Sequence, residues 1–205
     1  MPGFAEVVSP VSGLIQKRSV AFPVAARIAQ VPIHEDLGRV RSGPVAGVSS
    51  IYRDEQATPA LDSQRMATLR TIIGQQGFWV TAGRMIAPAG SDFQHVQFRR
   101  VMDRACSTAR DALVKYLNDS LRLDPVTGLI RESEARSIEA DVGGKLNDAL
   151  VANGHASAVS IYIDRTANIS STQTMPVTIR VLPLGYARFI TVDIGFKNPA
   201  LEPTP

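Results

Sequence analysis

The chain has 205 residues, of which 44% are hydrophobic and 20% charged, as expected for one globular domain with or without extended arms. Its net charge of +3 reflects 22 basic against 19 acidic residues, which favours an ordinary mixed surface. One cysteine cannot form an internal disulfide, three scattered histidines disfavour a zinc site, and no run of about 18 apolar residues predicts a membrane span.

Prolines interrupt the beginning of the chain. They recur through residues 1–45, and we therefore expect an arm or a peripheral layer there rather than part of a core. The pattern over residues 14–30 allows a helix, but Pro23 would interrupt it.

The next segment combines strand and helix signals. GVSSIYRDE is typical of a short strand that runs into a polar turn. Thr58 and Pro59 are the residue types favoured at the start of a helix, and they predict one over residues 58–73. QGFWVTAGRMI, framed by two glycines, then predicts a strand.

A long helix is the clearest predicted element, in SDFQHVQFRRVMDRACSTARDALVKYLNDSL. Ser91 and Gln94 have the spacing of a capping box, and apolar residues recur at helical spacing from Phe98 to Leu121. About 28 residues at about 1.5 Å each give a helix of about 40 Å. Its other face carries basic residues, namely Arg99, Arg100, Arg104, Arg110 and Lys115.

A second helix is predicted over residues 132–153. Its apolar stripe repeats every four residues, at Ile138, Val142, Leu146 and Leu150. Asn153 and Gly154 supply a stop signal, with the glycine in a left-handed conformation. Gly143 and Gly144 permit either close packing or a bend, and the sequence leaves both open.

Three strands are predicted to complete the chain, in AVSIYID, MPVTIRVLP and ARFITVDIGF. PLG at 183–185 would join the last two as a hairpin. The side chains expected to face inward alternate along the strands: Val159, Ile161, Ile163, Val177, Ile179, Val181, Ile190, Val192, Ile194 and Phe196. One apolar face per strand predicts an α+β fold, an antiparallel β-sheet packed on one face by two main α-helices, with extended terminal arms.

No nucleotide-binding, hydrolase or metalloprotease motif occurs in the sequence, and we assign no catalytic, cofactor-binding or metal-binding residue. An alternative interpretation is a small cytoplasmic enzyme that uses a polar cluster of Asp54, Glu55 and His34. A solvated turn or an ion-pair network is the favoured interpretation of these residues. Cys106 falls close to the apolar stripe of the long helix, which predicts a buried, inert thiol.

A basic nucleic-acid-binding module is the other alternative, because the arginines of the long helix could follow phosphates. Acidic residues are interspersed among them, at Asp103, Asp111 and Asp119, and aromatic residues for base stacking are few. A solvated or partner-facing helix is therefore the favoured interpretation, and no nucleic-acid partner is expected.

From residue 38 onward the chain resembles a known family. GRVRSGPVAGVSSIYRDEQATPALDSQRMATLRTIIGQQGFWVTAGRMIAPAGSDFQHVQFRRVMDRAC is similar to the C-terminal half of tail sheath proteins from contractile bacteriophages. VTIRVLPLGYARFITVDIGFKNPA resembles the end of that same half. The resemblance rests on the order of elements and on local phrases, and not on a catalytic motif.

The resemblance implies a non-enzymatic structural protein of a virion tail, assembled in the host bacterial cytoplasm. Such subunits polymerise as stacked six-fold rings around an inner tube and contract to drive it through a cell envelope. Implied partners are further copies of the chain, the tail tube protein, and baseplate and tail terminator proteins, without membrane insertion or cofactors. Terminal arms of neighbours add strands to each subunit's sheet, which is strand exchange by β-augmentation.

The resemblance also implies a domain division and two sets of site residues. Residues 1–45 would form an arm or peripheral layer, 46–197 the sheath core domain, and 198–205 an extended C-terminal arm. The expected subunit interface is formed by Ile190, Val192, Ile194, Phe196, Asn198, Pro199 and Leu201. The candidate tube-facing charges are Arg99, Arg100, Arg104, Arg136 and Lys145. Because full-length sheaths are usually much longer, we expect this chain to be a fragment or a reduced homologue.

Overall fold

The computed structural model describes residues 3–88 and 90–195. Within these ranges the chain forms short strands and helices in the order β1 (Phe4–Val8), β2 (Ile15–Ser19), α1 (Ala21–Gln30), β3 (Val48–Ile51), β4 (Leu69–Ile72), β5 (Gln75–Val80), α2 (Val96–Leu113), α3 (Glu132–Leu146), β6 (Ala158–Ile163), α4 (Ile169–Thr172) and β7 (Val177–Leu182). A π-helical turn, Asn147–Val151, prolongs α3.

The strands pair antiparallel in three small sheets, in the orders β2-β1-β3, β4-β5 and β6-β7. The α+β prediction is confirmed, although the described strands do not join into one continuous sheet. β1-β2 and β4-β5 are hairpins of consecutive strands, and β6 pairs with β7 across a segment that contains α4. β3 follows α1 and joins the other edge of β1.

The main core lies between α2, α3 and the β6-β7 sheet. The predicted α3 stripe is confirmed, since Ile138, Val142, Leu146 and Leu150 are all buried. The inner side chains of β6 and β7 pack against this stripe in the predicted alternation. Gly143 belongs to this contact, because a Cβ added there would lie 3.3 Å from Cγ2 of Ile161. Close packing therefore explains this glycine, whereas Gly144 faces open space.

A second core lies in the N-terminal part of the chain. Contrary to our expectation for residues 1–45, several of its buried side chains come from that region, and they pack with Leu69 and Val80. The strand β2 occupies the start of the expected helix, and α1 begins only at Ala21. Pro23 lies in the first turn of α1, where a missing N–H costs nothing.

The helix predicted over residues 58–73 is wrong. Residues 55–57 and 61–65 form two turns, and β4 follows from Leu69. The reason is a competing acceptor: Oε1 of Glu55 accepts hydrogen bonds from the main-chain N–H groups of Ala60, Leu61 and Asp62 at 2.7–2.9 Å. These donors are thereby satisfied in a turn, without helical bonding.

The long helix is shorter than predicted. It begins at Val96 after the N-cap residue His95, and one 3₁₀ turn, Val114–Tyr116, follows it. Ser91 accepts a hydrogen bond from the main-chain N–H of Phe93, so it caps a local turn and not the helix. The prediction of a buried Cys106 is also wrong, because its thiol is exposed. No helix in the described ranges is both long and apolar enough to cross a membrane.

Candidate assembly surface

The C-terminal segment, residues 183–195, does not form the predicted strand or hairpin. Ile190, Val192 and Ile194 were expected to face inward, but they are 82%, 66% and 87% exposed. The physical reason is that no described strand lies beside this segment to pair with it. The remaining predicted interface residues, Phe196, Asn198, Pro199 and Leu201, lie outside the described residues.

The sheets present unpaired edges among the described strands. In the two-stranded sheet β6 and β7 pair only with each other, so the outer edge of each lies outside any described strand ladder. At the end of β6 the main-chain groups of Ile163 are already bonded, the N–H to Oε1 of Glu139 and the C=O to the guanidinium of Arg165. β2 and β3 form the two edges of the N-terminal sheet. Such edges can accept a strand from another chain. The sequence predicted the strands but not which of them would be left at an edge.

Exposed apolar side chains also gather at the β1-β2 hairpin. Val8 pairs with Ile15, and both are exposed, as are Val11 and Leu14 at the turn between them. Nearby on the same sheet, Nζ of Lys17 lies 4.7 Å from the ring centre of Phe4.

Several of the candidate tube-facing side chains already form ion pairs within the subunit. Arg99 pairs with Asp103, Arg136 with Glu132, and Lys145 lies 3.9 Å from Asp141. Each of these pairs joins exposed or half-exposed side chains one turn apart on a helix, where ion pairs contribute little.

Two further arginines of α2 differ from each other. Arg100 donates hydrogen bonds to the main-chain oxygens of Val31 and Pro32, and it thereby ties α2 to the end of α1. Arg104 is exposed. Among the arginines predicted on this face, Arg104 is therefore better placed for an external partner than Arg100.

A cleft of about 960 Å³ lies between the N-terminal half and the C-terminal segment. His34 and Glu55 line it, together with Asp62 and Arg84, whereas Asp54 does not. Asp54 instead accepts hydrogen bonds from the main-chain N–H and the hydroxyl of Thr71. The cleft thus brings together two of the three residues of the alternative enzyme interpretation.

Glu55 is committed to the fold. Although burial acts to raise the pKa of its carboxyl, the three main-chain N–H donors of the turn hold that pKa below its usual value. A carboxylate already bonded in this way is a poor general base. Within the described ranges, no group of three or more His, Cys, Asp or Glu side chains is placed to hold a metal ion.

Two histidine contacts join distant parts of the chain. Nδ1 of His34 lies 2.8 Å from Nδ1 of His155, with the ring centres 5.0 Å apart. Burial, followed by the neighbouring His34 and Arg104, lowers the pKa of His155. One of the two facing nitrogens must carry a proton and the other must lack one for this hydrogen bond to form.

The second contact involves His95, which is 7% exposed. Nη2 of Arg188 lies 2.8 Å from Nε2 and 3.0 Å from Nδ1 of this ring. Burial, together with Arg188 and Arg84, lowers the pKa of His95 despite the opposing carboxylates of Asp36 and Asp62. Sequence reasoning missed this contact, because residues 95 and 188 are brought together only by the tertiary fold.

Two family models match successive parts of the chain. A sequence model of the DUF2586 N-terminal domain matches residues 4–84, and one of the DUF2586 C-terminal domain matches residues 92–201. No curated protein matches the chain.

Solved structures with the same fold come from contractile assemblies. The helical sheath of the anti-feeding prophage (AFP) in its contracted state has a TM-score of 0.63 at 15% identity, over 94% of this chain and 54% of that one. The contracted sheath complex of PVC, an extracellular contractile injection system, has a TM-score of 0.63 at 13% identity, over 93% of this chain and 54% of that one. The six-fold symmetrised AFP baseplate has a TM-score of 0.60 at 13% identity, over 94% of this chain and 53% of that one. This chain therefore spans just over half the length of these chains.

Proposed function

The chain belongs to the DUF2586 family, and from its shared fold we propose that it serves as a structural subunit of a contractile sheath. The observation that carries this proposal is the match of 94% of the chain to the AFP helical sheath at a TM-score of 0.63. That protein is a sheath component, and an extended likeness of fold is the basis for transferring the role. The proposed subunit works by assembly and contraction and performs no catalysis.

In the proposed assembly, subunits stack as six-fold rings around an inner tube and contract to drive it through a cell envelope. The tube protein, the baseplate and a tail terminator would be its partners, and assembly would take place in the cytoplasm of a host bacterium. The division into 1–45, 46–197 and 198–205 stays a prediction. Buried side chains of residues 1–45 pack against Leu69 and Val80. Removal of residues 1–45 is therefore expected to disrupt this core.

Strand exchange is the proposed link between subunits. The unpaired edges of β6 and β7 would accept a strand, and the exposed C-terminal segment, with Ile190, Val192 and Ile194 alternating along it, would supply one to a neighbour. Main-chain hydrogen bonds would give affinity, and pockets for alternate side chains would give register.

Alternation provides a test with a matched control. Val192→Asp places a charge on the face that a neighbouring sheet would bury, whereas Thr191→Asp places it on the opposite face. Sedimentation of polymers of the complete protein should show strongly reduced assembly for Val192→Asp and near-normal assembly for Thr191→Asp. Deletion of residues 198–205 should leave a folded subunit that assembles poorly. Equal effects of the two aspartates would refute exchange through this segment.

We propose the tube-facing role chiefly for Arg104, since it is exposed and Arg100 is bonded to main-chain oxygens. Arg104→Glu should lower co-sedimentation with tube protein while the subunit keeps its unfolding temperature. Arg41→Glu, which reverses an exposed charge in the N-terminal half and outside the proposed strand-accepting edges, serves as the control. Unchanged co-sedimentation of Arg104→Glu would remove α2 from the proposed tube contact.

A further inference from the structure

The C-terminal segment is held in place without a strand ladder. In the described part of the chain, the last main-chain hydrogen bond before it joins Ser157 to Leu182, and Oγ of Ser157 also donates to the main-chain oxygen of Pro183. From there the chain nevertheless crosses to the N-terminal half and lines the cleft. Side chains must therefore fix its course.

Tyr186 makes the first of these contacts. Its hydroxyl donates to the main-chain oxygen of His34. Its ring packs on Phe98, with ring centres 5.7 Å apart, and Phe98 in turn packs edge-on against His95. Burial, followed by the charge of Asp36, raises the pKa of the Tyr186 hydroxyl, which therefore keeps its proton and remains a donor.

Arg188 makes the second contact. Its Nη2 lies against the ring nitrogens of His95 and 3.4 Å from Oδ2 of Asp36. Asp36 is itself fixed, because the side-chain amide of Gln97 donates to the same Oδ2 at 2.7 Å and the main-chain N–H of Gly38 donates to Oδ1 at 2.8 Å. The guanidinium thus enters a preformed acceptor site built from α2 and the loop after α1.

Both side chains leave the segment on the same side. Leu184 and Tyr186 are partly covered and Gly185 and Ala187 are exposed, a period of two that an extended chain produces. Arg188 continues this period with its side chain, which is 29% exposed although the residue as a whole is exposed. Residues beyond Arg188 lose this alternation, and positions 189–195 are all exposed. The contacts therefore end at Arg188.

We propose that Tyr186 and Arg188 form a latch that fixes the start of the outgoing C-terminal segment on its own N-terminal half. The latch sets the point and direction at which residues 189–195 leave the subunit, so that a neighbouring copy meets them in one orientation. Only this use of the segment rests on the proposed function; the latch itself is a property of the single subunit. Tyr186 and Arg188 are positioning residues in this account.

A distance measurement within one unassembled subunit tests the latch. Spin labels on the exposed native Cys106 and on Thr191→Cys report the position of the segment relative to α2. The parent protein should give one narrow distance distribution. Tyr186→Phe, which keeps the ring and loses the hydroxyl, should broaden it moderately, and Arg188→Gln should broaden it at least twofold.

Controls separate the latch from general loosening of the fold. Arg180→Gln, on the exposed face of β7, should leave the distribution narrow, and Arg188→Lys, which retains the charge, should restore part of the order. A second label pair, Cys106 with Ser137→Cys on α3, should stay unchanged in every variant. Narrow distributions in both Tyr186→Phe and Arg188→Gln would overturn the proposal, as would a broad one in the parent.

The outcome is independent of polymerisation. If the distances respond as described in a complete protein that never forms polymers, the latch stands and the proposed sheath function fails. If polymers form while the variant distances match the parent, the sheath function stands and the latch fails.

Discussion

Replacing Glu55 with alanine should destabilise the N-terminal half of the molecule, because three main-chain N–H groups depend on this one carboxylate. The donors of Ala60, Leu61 and Asp62 lie 2.8, 2.7 and 2.9 Å from Oε1, and Glu55 is only 6% exposed. A buried donor left without a partner costs about 1–3 kcal/mol. Since the turn is half-exposed and water can replace part of the bonding, we expect a total loss of about 3 kcal/mol.

Urea denaturation followed by tryptophan fluorescence measures this loss. The single tryptophan, Trp79, is 3% exposed and pairs with Arg70 in the hairpin beside the turn, so it reports on the correct region. With a slope of about 1–3 kcal/mol per molar urea, the unfolding midpoint should fall by about 1–3 M. Gln56→Ala, an exposed change in the same turn, should shift the free energy of unfolding by at most about 0.5 kcal/mol.

Glu55→Gln refines the experiment, because glutamine keeps an acceptor oxygen but loses the negative charge. Hydrogen bonds to a charged acceptor are roughly twice as strong as neutral ones, so the loss should be about half that of Glu55→Ala. A loss for Glu55→Ala no larger than that of Gln56→Ala would refute the role given to this carboxylate.

Three further predictions concern the cores and the histidines. In thermal unfolding, Gly144→Ala should stabilise the protein by up to about 1 kcal/mol through helix propensity. Gly143→Ala should stabilise it less, because the added methyl group contacts Ile161 of β6. Equal stabilisation by the two variants would contradict the close packing at Gly143. Leu146→Ala, at a fully buried position, should lower the free energy of unfolding by about 2–5 kcal/mol, and a loss below about 1 kcal/mol would place that side chain outside the core. Because the pKa values of His95 and His155 are lowered, the unfolded chain binds protons more readily than the folded one, so stability should fall as pH drops below about 6.5, the ordinary histidine pKa. Unfolding measured at pH 7.5 and 5.5 checks this, and equal stability at both values would contradict the buried environment of the two rings.

The periodicity of apolar residues was sufficient to predict the buried side chains of the C-terminal core. The four-residue repeat of α3 and the alternation of β6 and β7 both appear in the structure, because in each case one apolar face is buried by a neighbouring element. Local signals were weaker where side chains compete with the main chain. Thr58 and Pro59 suit a helix start, but Glu55 captures the next free N–H groups and the chain turns instead.

The C-terminal segment shows a different limit. ARFITVDIGF alternates as a strand does, yet Ile190, Val192 and Ile194 are exposed, since a strand needs a partner edge that alternation does not specify. The latch residues were also invisible in the sequence: Tyr186 and Arg188 reach acceptors more than 90 positions away along the chain. Pattern alone predicted which side chains alternate, and the tertiary fold decided which of them find a partner.

Negative-stain electron microscopy of the complete protein shows whether this chain is a polymerising sheath subunit, as we propose. We expect hollow tubes or stacked rings, with six-fold symmetry in end-on views. A complete protein that stays monomeric at every concentration, both alone and together with tube protein, would contradict it.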